Sequence, residues 1–206
     1  NVSEESGIDV HMRLSFQSAW WDYNEDGLQD VLVINDKAGA NSVFKNQGDG
    51  TFIDVAADIG ADIVIDAMTL SLGDFNQDGR QDLYHTNTWF GGDGLGSKLL
   101  VQHENGHFTE ESAEHNLDLD LFCWGAAWMD VDNDSWEDLY IATGTSMYTD
   151  YPNVTNFYPN STNGLFLNPA GSLPLVDISA SINWENELTF SVAYGDHNED
   201  GALDFI

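Results

Sequence analysis

Asp22-Tyr23-Asn24-Glu25-Asp26-Gly27-Leu28-Gln29-Asp30 runs directly into Val31-Leu32-Val33-Ile34. The same pattern returns three times without gaps, at Asp74-Phe75-Asn76-Gln77-Asp78-Gly79-Arg80-Gln81-Asp82, at Asp130-Val131-Asp132-Asn133-Asp134-Ser135-Trp136-Glu137-Asp138, and at Asp196-His197-Asn198-Glu199-Asp200-Gly201-Ala202-Leu203-Asp204. The loops start 52, 56 and 66 residues apart. Such periods suit a four-stranded sheet repeat and are too long for most solenoids.

The flanks repeat with the loops. A run of apolar and small residues precedes each one, at 16–21, 68–73, 124–129 and 190–195. A β-rich run follows, at Val31 to Ile34, Leu83-Tyr84, Leu139 to Ile141 and Phe205-Ile206. Short apolar runs bounded by turn residues predict strands. A third strand is expected at 42–45, 97–101 and 164–167, and a fourth at 51–55, 107–110 and 173–176. Gly-containing turns at 46–50 and 104–106 suit hairpins between these two. The reading is therefore all-β: four-stranded antiparallel blades with the aspartate loop between first and second strand. The repeats fall roughly at 15–64, 65–120 and 121–182, with a shortened one at 186–206, in a single segment spanning 1–206. Two longer inserts sit at 88–97 and 145–163, and the second, rich in Tyr, Asn, Pro and Thr, reads as an exposed loop.

The acids within each loop point to a hard cation. Calcium takes six to eight oxygen ligands, and side chains at loop positions 1, 3, 5 and 9 can converge on one ion while the carbonyl of position 7 adds another oxygen. The side-chain sets are Asp22, Asn24, Asp26 and Asp30; Asp74, Asn76, Asp78 and Asp82; Asp130, Asp132, Asp134 and Asp138; and Asp196, Asn198, Asp200 and Asp204. The carbonyls would come from Leu28, Arg80, Trp136 and Ala202. Three to four calcium ions are expected. Gly at position 6 permits the sharp turn; Ser135 in the third loop is expected to bear strain there, which the extra carboxylate of Asp132 offsets. These are not EF-hands, because position 12 is Val33, His85 or Ile141 where that loop needs a Glu. A polar turn without metal is the competing reading. It must hold three or four carboxylates together uncompensated, four times over, against their mutual repulsion.

Composition agrees with a folded acidic protein. The 206 residues carry 36 Asp and Glu against 5 Lys and Arg, a net charge of −31, yet 42% are hydrophobic and seven are Trp. That is enough for a core, and it excludes nucleic acid as a partner, since phosphate contacts need Lys and Arg. Thirteen of the 36 acids occupy loop positions 1, 3, 5 and 9; the other 23 make surface acidity a second feature. No run of about 18 apolar residues is present, so no transmembrane helix is expected. Cys123 is alone and forms no intrachain disulfide. Asn1 could follow a cleaved leader or be a cut edge, and the strand-like ending at Ile206 predicts that more protein follows.

The segment 41–60, following Ala19 to Asp30, resembles the FG-GAP/VCBS-type repeat, in the form found in the cartilage acidic protein and ASPIC/UnbV group; Trp124 to Asp130 is similar at the same point of the third repeat. The resemblance implies a β-propeller of about seven or eight blades, with calcium in the loop between the first two strands of a blade, as in integrin α-subunit heads. About three and a half blades cannot close a ring, so a longer protein or association between copies is expected. A secreted, extracellular, periplasmic or cell-surface location follows from the resemblance. So does a scaffold role in adhesion, with a protein or glycan ligand or further copies of the chain as partner.

Other chemistry is thinner. Nucleophile-elbow, P-loop and dinucleotide fingerprints are absent, and no enzyme is expected; the alternatives weighed are a calcium-dependent filament or surface layer and a non-catalytic part of a polysaccharide-active enzyme. His103 and His107 are four apart, but in a hairpin turn. Aromatics of the inserts (Trp89, Phe90, Tyr148, Tyr151, Phe157, Tyr158) could stack on a ligand. Asn153 and Asn160 head glycosylation sequons within one insert.

Overall fold

A computed structural model describes residues 2–8, 13–36, 39–88, 96–119, 121–143, 163–171, 173–182, 189 and 191–205. Asn153, Asn160 and the six insert aromatics lie outside the described residues.

Three four-stranded antiparallel meanders follow one another. The first is β1 (Leu14–Trp21), β2 (Asp30–Asp36), β3 (Ser42–Asn46) and β4 (Phe52–Asp54). The second is β5 (Ala67–Gly73), β6 (Asp82–Asn87), β7 (Lys98–Gln102) and β8 (Phe108–Glu110). The third is β9 (Cys123–Met129), β10 (Asp138–Thr143), β11 (Gly164–Leu167) and β12 (Val176–Asp177). A two-stranded pair, β13 (Tyr194–Gly195) and β14 (Asp204–Phe205), follows. The all-β expectation holds, as propeller-like blades. The last strand of the third sheet is shorter and later than the expected 173–176. Pro174 has no amide hydrogen for a ladder, and pairing begins only at Val176, opposite Leu167.

The sheets stack through the two-residue alternation of their strands. Leu32, Ile34 and Val43 face the second sheet and join Leu70, Leu83 and Leu100 in one core. Tyr84, Leu99 and Val101 leave the second sheet by its other face and meet Trp128, Leu139, Ile141 and Phe166. Tyr140, Ala142 and Leu165 then point onward, with Val192 and Leu203 packed against them. Val31 and Val33, on the other face of the first sheet, pack with Phe44, Ile8 and Phe52, so each middle strand is covered on both faces and β2, β6 and β10 are buried along their whole length.

Two short helices were not legible in the strand pattern. α1 (Ser3–Ser6) and α2 (Ala56–Ile59) each end on a left-handed glycine, Gly7 at φ 80° and Gly60 at φ 77°. A Cβ on either would lie 2.5 or 2.6 Å from the carbonyl oxygen of Phe52 or Phe108, so only glycine fits. Both turns therefore rest on the first residue of an outermost strand, β4 or β8.

The stacking leaves one face unequal. Trp20, Leu72 and Trp128 each stand two residues before a loop. Trp128 is 3% exposed, stacked on Phe75 at 5.7 Å and edge-on to Tyr84 at 6.4 Å. Trp20 is 60% exposed and touches Phe52 on the outer face of the first sheet, beside Val31 and Val33. Trp128→Ala is expected to destabilise the fold by about 3–5 kcal/mol, and Trp20→Ala by about 1 kcal/mol or less. Urea unfolding followed by circular dichroism measures both.

Candidate metal centres in the aspartate loops

All four loops are folded by the same hydrogen bonds, made by their own acids. The position-1 carboxylate accepts from two backbone amides. Oδ1 of Asp22, Asp74, Asp130 and Asp196 takes the amide of position 5 at 3.0, 2.9, 3.0 and 3.0 Å. Their Oδ2 takes the amide of position 6 at 2.7, 3.0, 2.9 and 2.8 Å. The position-3 oxygen of Asn24, Asn76, Asp132 and Asn198 shares the position-5 amide. Asp26, Asp78, Asp134 and Asp200 accept from the amides of Leu28, Arg80, Trp136 and Ala202.

This wrapping needs two left-handed residues per loop. Position 6 is one: Gly27, Gly79 and Gly201 have φ of 85°, 88° and 87°, and Ser135 is held at 74°. The strain expected at Ser135 is therefore present. Position 4 is the other, at Glu25, Gln77, Asn133 and Glu199 with φ of 57°, 54°, 61° and 61°. Sequence reading missed it, because only Asn133 belongs to a residue type that favours this region.

Position 9 does a different job. Asp30, Asp82 and Asp138 open the second strand of each sheet and are 0%, 0% and 1% exposed. Oδ1 of each accepts the backbone amide at the end of the third strand: Asn46 at 2.7 Å, Gln102 at 2.8 Å and Asn168 at 2.8 Å. Oδ2 of Asp30, Asp138 and Asp204 accepts from the position-2 amides of Tyr23, Val131 and His197. In the second loop Oδ2 of Asp82 is buried with no hydrogen-bond partner. A charged oxygen left so inside a protein is costly unless neutralised.

The electrostatics follow. Burial pushes the Asp82 carboxyl up to about 8, and the negative charges of Asp78 and Asp74 add to the rise. Burial, with Asp132 and Asp134 nearby, pushes Asp138 up to about 6. Asp30 is raised for the same reasons, burial first and then Asp26 and Asp22. Two of the five basic residues stand on position-5 carboxylates: Lys45 lies 3.5 Å from Asp26, and Arg80 pairs with Asp78.

Oxygen-only donor sets with an orphaned carboxylate oxygen fit a hard divalent cation. Ligand atoms of Asp130, Asp132 and Asp138 lie within 4.8 Å of one another, a cluster that could hold a metal ion. It sits in the loop that departs from glycine at position 6 and has a carboxylate, Asp132, where the other loops have Asn. Cys123, His85 and His103 lie outside the loops. Cys123 is buried, and burial pushes its thiol up to about 12. Burial takes His85 down to about 3. The amide of His103 donates to the carbonyl of His107 across the expected hairpin, while its ring faces Thr109 and Glu111.

The carboxamides at the ends of the third strands are not among the site residues expected from sequence, and only Asn46 falls in an expected turn. Asn46, Gln102 and Asn168 occupy the same place in three repeats, which was the available signal. Two of them leave their own sheet. Gln102 Nε2 donates to the carbonyl of Tyr23 at 2.6 Å, and Asn168 Nδ2 to that of Phe75 at 2.6 Å.

Comparison with known proteins agrees with this architecture. Residues 22–85 match the FG-GAP-like repeat family. Cartilage acidic protein 1 of Xenopus tropicalis is 41% identical over 63 residues, covering 30% of this chain and 9% of that protein. The proteins of the same name from Homo sapiens and Mus musculus are also 41% identical over 63 residues, with the same coverage. The matched stretch thus spans about a tenth of the length of these relatives.

A carboxyl raised in the folded state favours folding while protonated. Its contribution is complete below the unfolded value of about 4 and lost as pH rises through the folded value. In chelator, stability should therefore fall as pH climbs from about 4 to 8, and Asp82→Asn should flatten that slope. Urea midpoints across this range, for parent and variant, test it.

Proposed function

We propose that the chain is part of an extracellular calcium-binding β-propeller of seven or eight blades that serves as a scaffold for adhesion or ligand binding, with calcium structural. Each loop takes one ion, through the side chains at positions 1, 3, 5 and 9 and the carbonyl of position 7, in up to four sites. The observation that carries the reading is the buried position-9 carboxylate, which joins the loop to the second and third strands of its sheet. An ion there neutralises charge that the core would otherwise hold uncompensated. Extracellular calcium modules bind with Kd values of about 10⁻⁴–10⁻³ M, so such sites stay largely filled outside cells. Among the described residues no helix is long and apolar enough to cross a membrane. The ligand is a protein or glycan, and the proposal assigns no catalytic step to the chain.

Binding to the folded state alone stabilises it by about 2.7 kcal/mol per site at a hundredfold excess over Kd. For a chain of this size each kcal/mol moves Tm by about 2–4 °C. Chelation should therefore lower Tm by at least about 10 °C, and calcium should restore it; an unchanged melting curve would overturn the reading. Asp22→Ala and Asp74→Ala should each remove one ion from the calorimetric stoichiometry.

The first strand, β1, with Leu14, Phe16 and Trp20 exposed along it, favours a second reading, in which copies of the chain associate through it. Calcium-dependent growth in light scattering that Trp20→Ala suppresses would support it.

A further inference from the structure

The loops do not stand apart from one another. Gln102 holds Asp82 Oδ1 through its backbone amide and the Tyr23 carbonyl through its side chain, so position 9 of the second loop is tied to position 2 of the first. Asn168 makes the same bridge between Asp138 and Phe75, joining the third loop to the second. The second junction carries two further bonds. Glu137, half-buried at position 8 of the third loop, accepts the backbone amide of Asp74 with Oε2 at 2.7 Å. Gln77, at position 4 of the second loop, donates from Nε2 to the carbonyl of Ser135 at 2.6 Å. At the first junction the residue equivalent to Glu137 is Gln81, which is exposed.

Resting on the reading that these loops take calcium, we infer that the second and third loops bind their ions as a positively coupled pair, joined by Glu137 and Gln77, while the first loop is coupled to them more weakly. Two effects set the sign. Filling the second loop fixes the backbone from Asp74 to Asp78, and with it the Gln77 side chain that holds Ser135, the strained residue of the third loop. The same ion neutralises Asp74 beside the Glu137 carboxylate and relieves a like-charge contact spanning the two loops. Two cations repel each other, but water and salt screen that repulsion over distances beyond about 8–10 Å, whereas the hydrogen bonds act at contact.

Trp136 makes the third loop separately readable. It lies at position 7, and indole excitation sensitises the luminescence of a terbium ion bound beside it. Terbium is therefore the probe, titrated into the full chain, with Trp136→Phe defining the signal of this loop. Asp78→Ala, which disables the second loop, should weaken terbium binding at the third by about 5-fold or more. Asp26→Ala, in the first loop, should change it by less. With Gln77→Ala and Glu137→Gln combined, ligands intact, Asp78→Ala should no longer affect the third loop beyond about twofold. Circular dichroism of each variant in chelator checks that the sheets remain. If Asp78→Ala leaves the affinity of the third loop within about twofold in the otherwise parental chain, or if the double substitution leaves its effect intact, the coupling is overturned. If the parent gives no Trp136-dependent signal at all, the calcium reading of that loop fails, and the inference with it.

Discussion

A carboxylate buried at the start of a strand is the constraint on which the rest depends. Asp30, Asp82 and Asp138 sit where each loop turns into the middle of its sheet, and all three are almost wholly removed from water. Desolvating an anion is expensive, so its oxygens must find donors or a cation. One oxygen takes the amide at the end of the third strand, which fixes how the second and third strands end together. The other takes the amide of loop position 2 in three of the four loops, and in the second loop it is left over. The shape of the loop and the meeting of the strand ends thus follow from one residue's need for compensation.

The rest of the loop answers a related problem. The acids at positions 1 and 5, with Asp132 at position 3 of the third loop, would repel if they faced each other without donors, yet each accepts backbone amides that the tight turn exposes. The turn is possible only because positions 4 and 6 take the left-handed conformation, at a cost that glycine removes at position 6 in three loops and Ser135 bears in the fourth case. The strained loop is also the one with an added carboxylate, Asp132. The same loop is clamped to its neighbour by Glu137 and Gln77, so strain, charge and inter-sheet contact concentrate at one junction.

Much of this was legible in the sequence, and for a simple reason. The nine-residue loop and the two-residue alternation are local patterns, and four copies in register remove the ambiguity of any single one. They yield the all-β class, the loop between first and second strands, and the Asp and Asn side chains at positions 1, 3, 5 and 9. Less regular elements escaped. The fourth strand of the third sheet was misplaced because Pro174 delays pairing until Val176. The helix of Ala56–Ile59 is a single turn, too short to show a period. The left-handed residue at position 4 carries Glu or Gln in three loops, types that give no hint of that backbone.

The sequence by itself determined which residues gather in a loop, because they are neighbours along nine positions of chain. It could not tell that position 9 is buried while positions 5 are exposed, since burial is conferred by the packing of whole sheets. Nor could it pair Gln102 with Tyr23, 79 residues away, or Asn168 with Phe75, 93 residues away. Those contacts exist only once Leu32, Ile34 and Tyr84 have stacked one sheet on the next and brought the loops to a common edge. Tertiary structure therefore decided how the candidate sites touch, and packing between sheets, not local spacing, is the physical cause.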